Sequence, residues 1–211
     1  MAGTPTQQPR VDNWKEEMFF GYGLDIRSRT IYLGSFSDYD GDETGIDYDV
    51  SGIFIKSLKI LQRYSHPDDR LTVILNSPGG EWYHGIAIYD AIMLSGMDII
   101  IEVFGHAMSM ASIIMQAGNL RLMAPNSSMM IHEGAEIIAG HPENIKRWSK
   151  ETQRQNDVMY DIYLERIREK NKGYQKKKIK ELCQFDTILT PTHAIDLGLA
   201  DGIMCLQKGV K

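Results

Sequence analysis

The chain has 211 residues, 43% of them hydrophobic, which suits one domain with a sizeable core. Its 23 Lys and Arg against 28 Asp and Glu leave a net charge of −5, which argues against a general binder of nucleic-acid backbones. No apolar run reaches the roughly 20 residues that span a bilayer, no apolar signal segment opens the chain, and Cys183 and Cys205 have no metal-ligand spacing, so a cytoplasmic protein is expected, with no metal, no cofactor and no membrane or nucleic-acid partner.

In chain order, the polar start rich in Pro, Gln and Thr reads as a flexible arm, taken to residue 27. Arg29–Phe36 is a short β-type run, and the acidic, turn-rich Ser37–Asp49 is a loop. Val50, Ile53, Ile55, Leu58, Ile60 and Leu61 recur at near-helical spacing. Leu71–Leu75 is a buried strand that breaks at Pro78-Gly79-Gly80, and the helix after it stops near Gly96. A second buried strand runs Asp98–Gly105, a short helix ends at Gly118, and two strands flank Pro125-Asn126. A long polar helix spans Pro142–Lys170, with Trp148, Val158, Ile162, Leu164 and Ile167 as its apolar positions. A helix at Tyr174–Cys183, carrying a basic run expected to be a solvated face, precedes a last loop, short helix and strand. Strands alternating with helices predict an α/β fold with mainly parallel strands, whose working groups lie at strand carboxyl ends.

Three residues there carry chemistry. Ser109 follows a strand-ending glycine at a helix start, where it either caps the helix or acts as a nucleophile. Backbone N–H groups at such a start lack intrahelical partners and are able to hold an oxyanion. His132 ends a strand and is either a structural histidine or a general base, and Asp186 either caps a turn or orients that base. Gly79-Gly80 is either an ordinary strand-to-helix turn or a place where substrate meets bare backbone. A Ser, a His and an Asp occur in most chains of this length, so pattern alone does not bring them together.

Five segments in order resemble a known family: "SRTIYLG", "ILNSPGG" followed by "GIAIYDAI", "FGHAMSMASIIMQAG", "APNSSMMIHEG" and "DTILTPTHAIDLGLAD". They are similar to the opening strand, glycine turn, nucleophile, histidine and aspartate segments of the proteolytic subunit of the caseinolytic Clp serine proteases. The resemblance covers about Ser28 to Met204 and implies a crotonase-like α/β spiral of β-β-α units over 28–206, with a protruding handle helix at about 134–170 and a tail at 207–211. It implies a Ser109–His132–Asp186 triad, an oxyanion hole from the N–H groups of Gly80 and Met110, and substrate contacts at Gly79, Glu81, Trp82 and Tyr83. Partners implied are further copies of the chain, as heptameric rings stacked into a tetradecamer, an AAA+ unfoldase, and unfolded polypeptide substrates. Two alternatives are a non-catalytic ring subunit and a crotonase-type acyl-CoA enzyme.

The sequence departs from the family's pattern in ways that mark a divergent or phage-type member. "EWYH" at 81–84 replaces small residues and implies a narrower substrate groove. His106, Met108 and Ala111 replace the usual Gln, Ala and Gly beside the serine. Glu133 follows His132, and a carboxylate close to the imidazole would raise its pKa.

Overall fold

The computed structural model describes residues 13–34, 45–64, 66, 69–134 and 138–205. Outside them lie residues 1–12 of the expected arm, 37–44 of the acidic loop, 135–137 of the lead-in to the handle, and the tail at 207–211. In chain order the elements are α1 (Asn13–Tyr22), β1 (Leu24–Asp25), β2 (Thr30–Gly34), α2 (Tyr48–Tyr64), β3 (Arg70–Ser77), α3 (Trp82–Met93), β4 (Asp98–Met108) and α4 (Met110–Met115). They continue with β5 (Leu120–Met123), β6 (Ser128–Ile131), α5 (Pro142–Lys170), α6 (Lys176–Cys183), β7 (Thr187–Leu189), α7 (Pro191–Leu197) and β8 (Gly202–Ile203).

The fold is α/β, as expected. A parallel sheet runs β2-β3-β4-β5-β8, with β1 antiparallel on its edge. Leu71, Val73 and Leu75 of β3 and Ile99, Ile101 and Val103 of β4 are fully buried, the apolar alternation a sheet packed against helices requires. β4 turns at Gly105 (φ 69°): before the turn it pairs with β5, after it with β6. Gly105 was expected to end this strand. A left-handed glycine instead re-aims it, and pairing resumes at His106.

The other differences have local causes. Residues 13–27, expected as arm, form α1 and β1, because Met18 packs on the core, Leu24 is buried in it, and Phe19 meets the Tyr32 ring edge-on at 5.1 Å. Thr187–Leu189, expected as loop, is a strand paired antiparallel with β6, a run too short to carry a periodic signal.

α5 starts as its sequence predicts. His141 accepts a bond from the Glu143 N–H, Pro142 occupies the first turn, and Arg168 and Lys170 sit in the last. Its 29 residues span about 43 Å. Residues 142–150 are exposed, Trp148 among them, whereas Met159, Tyr160, Ile162, Tyr163, Leu164 and Ile167 are buried. The helix therefore protrudes at one end and is rooted in the core at the other. The basic run of α6 is tied to it: Lys176 pairs with Asp161 at 2.6 Å and Lys180 with Asp157 at 3.1 Å.

Candidate active site

Ser109 joins β4 to α4 with φ 51° and ψ −123°, a region that costs a non-glycine residue about 1–3 kcal/mol. Its N–H donates to the Met130 carbonyl of β6 (2.9 Å), and its carbonyl accepts from the Ser112 N–H and hydroxyl (3.0 and 2.6 Å). It stands at the N-cap position, yet its side chain caps nothing. Its Oγ instead lies 2.8 Å from His132 Nε2.

His132 follows β6 by one residue, and Asp186 precedes β7 by one. The antiparallel register pairs Ile131 with Thr187, so the next positions outward, 132 and 186, face each other. His132 Nδ1 is 3.0 Å from Asp186 Oδ1. Three side chains spread over 77 positions of sequence thus form one hydrogen-bonded series. With Nδ1–H donating to the carboxylate, Nε2 is left to accept the serine proton.

The glycine turn closes on the serine. A Cβ at Gly79 (φ 103°) would stand 2.7 Å from both the Met108 carbonyl oxygen and Ser109 Cβ, so only glycine permits this approach. Gly80 bridges to Ile46: the Ile46 N–H donates to the Gly79 carbonyl and the Glu81 N–H to the Ile46 carbonyl. Both bonds use the groups flanking Gly80, so its own N–H points the other way. Met110, first residue of α4, has an N–H with no intrahelical acceptor. Its side chain is buried against α3, where Gly85 leaves it room.

A cavity of about 540 Å³ opens beside Ser109 and His132. Gly80, Glu81, Trp82 and Tyr83 line one wall, while Gly79 lies behind the lining, against Ser109. The opposite wall, which sequence reading missed, is Thr152, Gln155, Asn156 and Met159 of α5. Their i, i+3, i+4, i+7 spacing marks one helix face and was the available signal. Tyr83 donates its hydroxyl to Glu151 Oε1 of α5 (3.1 Å).

Glu133 does not turn to His132. Its carboxylate accepts a hydrogen bond from the Tyr160 hydroxyl of α5. Burial, reinforced by Glu133, pushes the Tyr160 hydroxyl well above the usual tyrosine range, and the same two causes push the Cys183 thiol up to about 12.

A profile of the Clp protease family matches residues 43–207, well over half of the chain. The chain belongs to the Clp protease family. It is 30% identical over 195 residues to the ATP-dependent Clp protease proteolytic subunits of two strains of Dehalococcoides mccartyi, covering 92% of this chain and 89% of each of those proteins. It is 27% identical over 185 residues to the ATP-dependent Clp protease proteolytic subunit of Deinococcus radiodurans, covering 87% of this chain and 83% of that protein. Within this Clp protease fold, the departures at Glu81, Trp82 and Tyr83 fall on the wall of the cavity beside Ser109. Among the described residues, no helix is long and apolar enough to cross a membrane.

Proposed function

We propose that this chain is a serine endopeptidase that cleaves unfolded polypeptides through Ser109, His132 and Asp186. The observation that carries the reading is the hydrogen-bonded series Ser109 Oγ–His132 Nε2 (2.8 Å) and His132 Nδ1–Asp186 Oδ1 (3.0 Å), reached with Ser109 in a strained backbone conformation. Strain at a residue whose side chain meets a base, and not a cap, supports a functional role.

An extended peptide enters the cavity beside Gly80–Tyr83 and pairs through its main chain. Ser109 Oγ attacks the scissile carbonyl carbon as its proton passes to His132 Nε2. The N–H groups of Gly80 and Met110 hold the oxyanion. Asp186 fixes the imidazole tautomer and stabilises the imidazolium. The imidazolium protonates the leaving amine, an acyl-enzyme remains on Ser109, and water, deprotonated by His132, hydrolyses it to regenerate the serine.

In the same reading the active form is a self-compartmentalised assembly of this chain, heptameric rings stacked into a tetradecamer and fed by an AAA+ unfoldase. The family membership and the exposed half of α5, with Trp148 on its surface, support it. The test is labelling by a fluorophosphonate or β-lactone, located by peptide mapping, combined with native mass measurement. Labelling at Ser109 in a ring-sized species, and loss of labelling and peptide cleavage in Ser109→Ala, are expected. Continued cleavage by Ser109→Ala overturns the reading.

A further inference from the structure

The Ser109–Met110 peptide has two ends. Its N–H belongs to Met110, the proposed oxyanion donor, and its C=O to Ser109. A trans peptide is planar, so these groups point in opposite directions and move as one body. Whatever fixes the carbonyl therefore aims the N–H.

The carbonyl is fixed from behind by a chain that ends on another element. Ser112 Oγ donates to it at 2.6 Å, and the Tyr163 hydroxyl lies 2.7 Å from Ser112 Oγ. The single Ser112 proton is committed to the Ser109 carbonyl, so Tyr163 is the donor in the second bond. Both side chains are fully buried. Tyr163 stands on the rooted part of α5, with its pKa raised far above the usual tyrosine value by burial, so the hydroxyl keeps its proton and its donor role. Successive bonds of this kind polarise one another, and a polarised carbonyl makes the N–H of its own peptide a better donor.

We propose that Ser112 and Tyr163 are positioning residues for the oxyanion site: the series Tyr163 O–H, Ser112 O–H, Ser109 C=O aims and strengthens the Met110 N–H. The assignment rests on the serine-protease reading above. It places part of the machinery in α5, 53 positions beyond Met110 in sequence.

The test uses Ser112→Ala and Tyr163→Phe, each of which deletes one oxygen, and their double variant, in the full-length assembly. A fluorogenic peptide gives kcat and KM. A peptide boronate, whose tetrahedral adduct occupies the oxyanion site, is compared with a non-covalent peptide competitor. Each single variant is expected to lose about tenfold in kcat, below the roughly 10²- to 10³-fold loss for deleting an oxyanion donor itself. KM and competitor affinity stay within twofold, boronate affinity falls with kcat, and the double variant loses no more than about twice what one single variant loses. Thermal unfolding shows that each variant is folded; should one fail to fold, the other carries the test. A kcat within twofold of the parent in the folded variants, or an equal loss of competitor affinity, overturns the proposal while leaving the protease reading standing. A parent chain that neither cleaves nor is labelled at Ser109 overturns both.

Discussion

His132 Nδ1 lies 3.0 Å from Asp186 Oδ1, yet 71% of the Asp186 side chain is open to solvent. Solvent already stabilises such a carboxylate and partly replaces it when it is lost, so in the proposed mechanism its share of catalysis is smaller than that of a buried acid. Asp186→Asn is expected to lower kcat by about 10²- to 10³-fold, against about 10⁶-fold for Ser109→Ala. Added salt should narrow the gap between the parent and Asp186→Asn, because exposed charges are screened. Steady-state kinetics with a fluorogenic peptide at two ionic strengths checks both.

Gly79→Ala is expected to abolish activity and to destabilise the chain by about 1–3 kcal/mol. The added methyl would meet Ser109 Cβ and the Met108 oxygen at 2.7 Å and the Met110 nitrogen at 2.9 Å, two of the three being backbone that has little room to yield. Denaturant unfolding and serine-probe labelling read the two effects separately.

Tyr83 is half exposed, so Tyr83→Phe should change stability by no more than about 0.5 kcal/mol. Glu151 accepts from both Arg154 and Tyr83, and these bonds, led by that from Arg154, hold its pKa down to about 2. It is therefore ionised at neutral pH, where it accepts the Tyr83 bond. Tyr83→Ala removes a large side chain from the cavity lining and is expected to raise kcat/KM about tenfold for peptides with a large side chain at the cleavage position, relative to small ones. A peptide-library cleavage profile would show no such bias if Tyr83 did not restrict the cavity.

Arg121 is buried and makes three bonds to Asp201, at 2.7, 2.9 and 2.6 Å, with further bonds to Gln116 Oε1 and the Gly198 carbonyl. Burial works to raise the Asp201 pKa, but the hydrogen bonds and charge of Arg121 outweigh it and hold the carboxyl below its ordinary value. The resulting stability is present above the unfolded pKa of about 3.9 and is lost as pH falls through the folded value. Asp201→Asn should therefore be less stable than the parent at pH 7, with the difference shrinking below pH 4. Arg121→Ala is expected to cost about 1–3 kcal/mol at pH 7, since Asp201 keeps the bond from the backbone N–H of residue 121 but loses the guanidinium, and Gln116 Oε1 and the Gly198 carbonyl lose their donor. Urea unfolding at pH 7 and pH 3.5 decides both.

The parts of this fold legible in the sequence are those whose signal is local. Val50 to Leu61 declared α2 by spacing, Leu71–Leu75 declared β3 by its apolar run, and Pro142 declared the start of α5. What stayed hidden depends on partners remote in sequence. β7 exists because β6 offers an edge 56 to 60 positions earlier, and α1 forms because Tyr32 and the core receive its side chains. At the site, the residue types were visible but their meeting was not. Ser109, His132 and Asp186 come together through the β6–β7 register, and only likeness to a known family anticipated it. Reading α5 by aliphatic and Trp positions picked Ile162, Leu164 and Ile167 but passed over Tyr160 and Tyr163, whose rings are buried and whose hydroxyls reach Glu133 and Ser112.

The pairing of β6 with β7 also sets an order in time. During synthesis the serine and histidine segments emerge well before the aspartate, and Ile131 cannot find Thr187 until the last quarter of the chain has left the ribosome. A nascent or truncated chain ending before β7 would carry Ser109 and His132 without the strand that faces them with a carboxylate. Topology thus delays the meeting of Ser109, His132 and Asp186 until β7 has been made.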